Sequence, residues 1–464
     1  MKKRKLELII EIEQYDAHKC RLINRQQQQI IWKILSWYDA GVDRHKSILN
    51  CIGRHGCYFP NGLLPFVFAQ LKLLGHTLEL TYLDFPKIKH KLIPKLPDIK
   101  FEPYQHKILA KVGPKKRGIA VSPTGSGKSV VIGGIVNKLR EPETIIVTPT
   151  KTIFNQLTAD FRRWFPNKII GQVGDGKRDM GDITISLFQT LRDLNLKKSK
   201  VQLVIIDEAH RISASHIKIL SKLRWANYRY GLTATPHERK HFEKWAKMTG
   251  CLGPIIYEAK ETEVGARVVP VEIYMINFHT SKKHNPYAKC LREDVLFNKT
   301  RNKKLLNAAD VLSLSKNKNC LFLIDEIEQG KKIIKIADQM GLEYEFAHGN
   351  NPKEENEKIK NRLNNGTTKL VIATQVFGLG TNIPNVDCVV LGSVRKSYID
   401  TIQKIGRGRR RISGKDKLIV IDSIDRVSGR ARFCEYFYGY SMERINHYKS
   451  KKWEIQRFCS VNIK

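Results

Sequence analysis

The stretch Ser122-Pro123-Thr124-Gly125-Ser126-Gly127-Lys128-Ser129 constrains this chain more than any other. An apolar run, Gly118-Ile119-Ala120-Val121, precedes it, and Val130-Val131-Ile132-Gly133-Gly134-Ile135-Val136 follows. Strand, glycine-rich turn and helix make the context in which a phosphate-binding loop works. Gly125 and Gly127 let the backbone curl until several N–H groups face one anion, and the helix N-terminus adds partial positive charge. Pro123, Thr124 and Ser126 fill the rest of the loop. Lys128 can reach the β- and γ-phosphates of ATP, and the Ser129 hydroxyl can ligate Mg²⁺. Ser122 stands where the GxxxxGK[ST] pattern has its first glycine.

Three further motifs follow in order. Val204-Ile205-Ile206-Asp207-Glu208-Ala209-His210 brings two carboxylates to the end of an apolar strand, where ligands bind in open α/β sheets. Asp207 can hold Mg²⁺ through water, and Glu208 can orient and polarise the attacking water. Gly231-Leu232-Thr233-Ala234-Thr235-Pro236 offers hydroxyls that can link a nucleotide site to a nucleic-acid site. Gln403-Lys404-Ile405-Gly406-Arg407-Gly408-Arg409-Arg410-Arg411 is either a phosphate clamp or a basic face. Its QxxGRxxR spacing favours the clamp, with Gln403, Arg407 and Arg410 on one helical face. Together the motifs predict ATP hydrolysis.

The formal charge of +37, from 82 Lys and Arg against 45 Asp and Glu, calls for a polyanionic partner, most simply nucleic acid. No apolar run is long enough to span a bilayer, and Glu7, Glu11 and Glu13 interrupt the first apolar patch, against a signal peptide. Cys51, His55 and Cys57 lie close together without a second ligand pair, so zinc is not expected. Scattered cysteines without CxxC read as free thiols in a reducing cytoplasm.

The fold class expected is α/β: two tandem doubly wound parallel-sheet domains behind a small α+β N-terminal domain. Candidate strands are 118–122, 144–148, 183–187, 202–206 and 229–233 in the first unit. The second has 271–277, 319–324, 343–347, 369–373, 387–391 and 417–422. Ile9 to Leu35 carries helix-compatible stretches, and Val67 to Leu74 reads as a helix ended by Gly75. Lys87 to Pro97 reads as an extended basic linker. The expected domains are 1–97, 98–262, 263–445 and a C-terminal helix over 446–464. That helix is centred on Ser441 to Trp453.

The motif order over roughly 98–445 resembles the superfamily 2 helicases and translocases, whose two domains are RecA-like. Phe101-Glu102-Pro103-Tyr104-Gln105 resembles their adenine-reading segment, which would put Tyr104 and Gln105 on the nucleotide. Thr150 and Lys151, Gln189 and Thr190, His348 and Gly349, and Thr374 and Gln375 match the positions that contact nucleic acid. Gly380 lies in the motif that touches both ligands; Asn382 stands where many members have an aspartate, which leaves the ribose contact usually assigned there open.

Leu63-Leu64-Pro65-Phe66 and Ser441-Met442-Glu443-Arg444-Ile445-Asn446-His447-Tyr448 look like the UvsW-type branch-migration helicases of phages, nearest to those of T5-like phages. That resemblance implies an ATP-dependent DNA helicase acting on forks and four-way junctions. It would work in the host cytoplasm, beside phage recombination or replication proteins, with residues 1–97 gripping DNA. The rival classes are a double-strand DNA translocase and a binding module with a dead ATPase. Lys128, Asp207, Glu208, Arg407 and Arg410 all argue against the last.

Overall fold

A computed structural model describes residues 8–24, 27–39, 44–51, 57–196, 199–237, 239, 241–265, 268–374, 376, 383, 385–394, 401–402 and 405–458. The chain divides into two compact units: Met1–Pro123 with Gly127–Glu263, and Val264–Lys464 together with Thr124–Ser126 of the phosphate loop.

The first unit starts with a small sheet. Its strands are β1 (Ile9–Gln14), β2 (Lys19–Leu22), β5 (Asn50–Cys51), β6 (Cys57–Pro60) and β7 (Thr77–Thr81). A separate hairpin is made by β3 (Ser36–Asp39) and β4 (Arg44–Ser47). The sheet order is β5-β6-β2-β1-β7, antiparallel except between β1 and β7. Of the helix-compatible stretches expected in Ile9 to Leu35, Gln28–Ile34 is helical, while Ile9–Gln14 and Lys19–Leu22 are strands. Ile10, Ile12 and Gln14 are buried with Glu11 and Glu13 between them, a period of two that marks a strand. The helix Leu64–Leu73 ends before Gly75 as expected. Cys57 is disulfide-bonded, and its ladder partner is Cys51. Cys57 is thus an exception to the free thiols expected. Cys20, Cys251, Cys290, Cys320, Cys388 and Cys434 are free and buried. His55 lies outside the described residues, among which no group of ligands could hold a metal.

This small domain is docked on the body of the first unit. Ala246 of the helix Phe242–Leu252 belongs to its core, with Phe242 and Trp245 packed against it. A Cβ added to Gly62 would meet the Thr249 carbonyl oxygen at 2.1 Å, so only glycine fits. Arg229 is fully buried, with Nε donating to the Ala226 carbonyl at 2.8 Å and one terminal nitrogen to the Leu223 carbonyl at 2.9 Å. Its other terminal nitrogen lies 3.3 Å from His18 Nδ1. Burial, then Arg229 and Arg117, hold the His18 pKa well below its usual value. His18 is therefore neutral when folded and takes up a proton below about pH 6.5 only when unfolded. Its contribution is complete above about pH 6.5 and is lost as pH falls, by up to about 1.4 kcal/mol per pH unit. Urea unfolding between pH 5 and 7.5 should show this slope in the wild type and a shallower one in His18→Gln. Equal slopes would remove His18 from the account.

After the extended segment 87–97 comes the main sheet. Its strands are β8 (Arg117–Val121), β9 (Thr144–Thr148), β10 (Ile170–Gly174), β11 (Lys177–Asp179), β12 (Ile183–Leu187), β13 (Leu203–Asp207), β14 (Tyr228–Thr233) and β15 (Ile255–Glu258). The order is β11-β10-β12-β9-β13-β14-β8-β15, with only β11 antiparallel. The strands β9, β12, β13 and β14 are buried along their whole length, as a parallel sheet covered on both faces requires.

The second unit has β16 (Val271–Ser281), β17 (Cys320–Leu323), β18 (Glu345–Ala347), β19 (Leu370–Ala373), β20 (Cys388–Leu391), β21 (Leu418–Ser428) and β22 (Glu454–Arg457). All are parallel, in the order β18-β19-β17-β20-β21-β16-β22. The expected C-terminal helix of 446–464 is corrected: the helix is Cys434–Ser450, and the chain then adds the edge strand β22.

That helix is fastened to β21 by a buried ionic network. Ser441, Arg444 and Tyr448 recur on one helical face. Arg444 Nε donates to Asp422 Oδ2 at 2.8 Å, and the Tyr448 hydroxyl donates to the same oxygen at 2.8 Å. Ser441 Oγ accepts from the Asp425 amide at 3.0 Å, and Arg301 Nε donates to Asp425 Oδ1 at 2.8 Å. All of these side chains are buried.

Candidate active site

The sheet order puts β13, β14 and β8 side by side, so their C-terminal ends share one edge. The phosphate-loop residues leave β8 there, and the Ser122 amide donates to the Thr233 carbonyl at 3.0 Å. Gly125 and Gly127 have φ of 84° and 83°, the left-handed conformation that glycine adopts without strain. The helix Lys128–Lys138 begins immediately afterwards, with Ser129 in its first turn.

Lys128 Nζ lies 3.6 Å from Glu208 Oε1, and both side chains are largely buried. Glu208 is held at φ 50°, a left-handed backbone that is strained for a non-glycine residue. Its amide donates to Asp207 Oδ1 at 2.9 Å. Glu208 Oε2 is buried and has no hydrogen-bond partner; His210 Nδ1 stands 3.4 Å away. His210 Nδ1 is also 2.9 Å from Thr233 Oγ1, which accepts from the Thr235 amide at 3.1 Å. Of the hydroxyls expected to link two sites, Thr233 Oγ1 contacts His210 beside Glu208, whereas Thr235 Oγ1 is buried without a hydrogen-bond partner. His210 is the member that motif reading alone does not single out. Burial pushes its pKa down to about 4, which keeps the ring neutral.

Burial, then the charge of Glu208, pushes Asp207 up to about 7, and Lys128 only partly opposes this. Two buried carboxylates thus face one lysine, with one carboxylate oxygen unpartnered. That donor set fits a divalent cation beside a phosphate.

Gln105 is fully buried. Its Oε1 accepts from the Glu102 amide at 2.9 Å, and its Nε2 approaches the Gly127 carbonyl at 3.5 Å and the Tyr104 hydroxyl at 3.2 Å. Gln105 is therefore seated against the end of the phosphate loop. Tyr104 is buried and supports it.

The expected nucleic-acid residues sit at strand ends. Thr150 caps the helix Lys151–Trp164, accepting from the Ile153 amide at 3.4 Å, just beyond β9. Lys151 pairs with Asp175 at 2.5 Å on the surface. Gln189 and Thr190 follow β12, the neighbour of β9. In the second unit His348 and Gly349 follow β18, and Thr374 follows the adjacent β19, its amide donating to the Ala347 carbonyl at 3.0 Å. His348 Nδ1 is buried without a hydrogen-bond partner. Nothing lies within 4 Å of a Cβ built on Gly349, so this edge is open.

Gln375, Gly380, Asn382 and Gln403, with the Arg407 side chain, lie outside the described residues. The single helical face drawn through Gln403, Arg407 and Arg410 is corrected at its end. Arg407–Arg409 is one 3-10 turn, and Arg410 is extended, bridged to Val268. The tight turn is possible because Gly408 packs against Leu418, where a Cβ would come within 2.7 Å. Arg409 turns inward, its guanidinium 5.3 Å from the Trp453 ring, while Arg410 is exposed.

Two parallel α/β units, the first with a phosphate loop and an acidic pair facing its lysine, define a nucleotide-hydrolysing motor of helicase architecture. Residues 98–238 match the family model "Type III restriction enzyme, res subunit", and residues 301–411 match "Helicase conserved C-terminal domain". The chain is 26% identical over 381 residues to the DNA 3'-5' translocase XPB2 of Sulfurisphaera tokodaii, covering 72% of this chain and 82% of that protein. It is 24% identical over 407 residues to the ATP-dependent DNA helicase uvsW of Enterobacteria phage T4, covering 81% and 80%. Among solved structures it resembles S. cerevisiae Dbp5 bound to RNA and ADP BeF3, with TM-score 0.54, 15% identity, and 77% and 90% of the two chains covered. The chain belongs to the superfamily 2 helicases and is UvsW-like.

Proposed function

We propose that this ATP-dependent helicase works on branched DNA, migrating four-way junctions and regressing forks. The observation that carries the ATPase part is the buried Lys128–Glu208 contact with its continuation through His210 to Thr233. The loop from Pro123 to Ser129 takes the triphosphate, and Lys128 exchanges its carboxylate neighbour for phosphate. Ser129 and Asp207 would hold Mg²⁺, which would supply positive charge to the phosphates. Glu208 orients the attacking water and accepts its proton. His210 and Thr233 hold Glu208 in register with the strand ends that carry the nucleic-acid residues. Gln403, Arg407 and Arg410 are proposed to stabilise the charge that develops on the γ-phosphate.

Thr150, Lys151, Gln189, Thr190, His348, Gly349, Thr374 and Gln375 are proposed to follow the DNA backbone. Such a grip gives little sequence preference and a steep salt dependence. The likeness to uvsW supports the phage setting, hence the host cytoplasm and company with recombination or replication proteins. Among the described residues no helix is long and apolar enough to cross a membrane.

A second reading is favoured by the likeness to XPB2: translocation on duplex without strand separation. ATPase rate and strand products on a mobile four-way junction, a tailed duplex and single-stranded RNA distinguish the two. The junction should stimulate hydrolysis most and yield exchanged strands. Hydrolysis on linear duplex with no separated or exchanged strands would replace helicase by translocase.

A further inference from the structure

The second unit contains a groove of about 1110 Å³ that none of the helicase motifs uses. Its floor is the outer part of β16 and β21, one wall is the helix Cys434–Ser450, and β22 closes one end. Lys304, Arg426, Lys449 and Arg457 line it, and no carboxylate does. The acidic residues of β21, Asp422 and Asp425, are buried and bonded to Arg444 and Arg301.

The four cations differ from others in this unit. Lys331, Lys360, Arg362 and Lys417 all pair with glutamates. None of the four in the groove has an ion-pair partner among the described residues. Lys304 Nζ donates to the Asn277 carbonyl at 3.1 Å, but four cations without a counter-charge among the described residues repel each other unless an anion joins them. The groove also has an aromatic face. Tyr438 is 38% exposed, and the Arg426 guanidinium lies 4.6 Å from its ring centroid. Met442 and Ile455 add apolar surface beside it.

Its place in the sheet gives the anion a route. All strands are parallel, so the outer ends of β16 and β21 lie on the same edge as those of β18 and β19. From β19 to β16 is four strand spacings in the sheet order, roughly 19 Å at about 4.8 Å each. A strand passing His348 and Thr374 thus reaches the groove within a few nucleotides.

We propose that this groove binds a single strand of nucleic acid, with phosphates on Lys304, Arg426, Lys449 and Arg457 and an unstacked base on Tyr438. Single strand rather than duplex is indicated by the exposed Tyr438 ring among the cations, since duplex bases are stacked on each other and do not offer a face to it. For a helicase this is a place to hold a separated strand, and in that sense the inference rests on the helicase reading.

The test uses the full chain, a short fluorescent oligothymidine and a salt series read by anisotropy. Arg426→Ala with Lys449→Ala should weaken binding at least tenfold and make the log–log salt slope shallower by about 1.4, from two contacts at about 0.7 each. Tyr438→Ala should weaken binding about tenfold with the slope unchanged. DNA-free ATPase should stay at the wild-type rate in both, which verifies folding. A photoreactive thymine should crosslink to the Tyr438 peptide of the wild-type protein.

Unchanged affinity in both variants, or crosslinks confined to the first unit, overturns the proposal. So does displacement of the oligonucleotide by inorganic pyrophosphate at equal phosphate concentration, which would make this a small-anion site. Failure of every DNA to stimulate wild-type ATPase would instead count against the helicase reading and leave the binding result standing.

Discussion

Glu208→Gln is expected to lower ATP turnover by about 10²–10⁴-fold while ATP and DNA still bind. The substitution keeps the side-chain volume and removes only the charge and the proton acceptor. Glu208 is the carboxylate nearest Lys128 among the described ion pairs, at 3.6 Å, so its neutralisation frees the lysine for phosphate. ATP affinity should therefore hold or rise as turnover falls. Steady-state hydrolysis, equilibrium binding of a fluorescent ATP analogue and DNA anisotropy on one preparation measure all three. Wild-type turnover in the variant would remove Glu208 from the chemistry. Loss of nucleotide binding along with turnover would make it a structural residue, acting through its strained φ of 50°.

Arg444→Met is expected to destabilise the second unit by about 3–5 kcal/mol. Asp422 is completely buried and accepts from Arg444 at 2.8 and 3.1 Å, from Tyr448 at 2.8 Å and from the Ser423 amide at 2.7 Å. Removing the arginine leaves a carboxylate in the core without its counter-charge. Asp422→Asn in the same chain removes the orphaned charge and should recover a large part of the loss. Urea unfolding of the wild type, both single variants and the double variant gives the coupling. Additive single losses would show that the pair does not act as a unit.

The phosphate loop, the acidic pair and the central strands were legible because each is set by a local rule. Fully apolar runs such as Leu203–Asp207 have one place to go in a covered parallel sheet, and Gly125 and Gly127 mark their own turn. The strands that escaped reading are those whose composition hides them. Ile170–Gly174 carries two glycines and a glutamine, and Glu454–Arg457 is mostly polar at a sheet edge. In Ile9–Gln14 the alternation was present but short.

Arg409 and Arg410 differ for a reason no spacing carries. Gly408 lets the chain approach Leu418 closely, and the turn that results sends one arginine inward and the next outward. The buried partners of Arg229 and Arg444 depend on tertiary contacts, although Ser441, Arg444 and Tyr448 already share a helical face in sequence.

The strand β14 has one further property. At its start Arg229 is bonded to His18 of the small N-terminal sheet, and at its end Thr233 contacts His210 beside Glu208. Four residues of extended chain, roughly 13 Å at about 3.3 Å each, separate the two. Both neighbours of that strand are parallel and buried, so it is stiff along its length. On the proposed reading, in which the small domain grips DNA and Glu208 orients water, a pull on that domain would be felt along β14 beside Glu208. Turnover would then fall under load, which a single-molecule stall measurement reads.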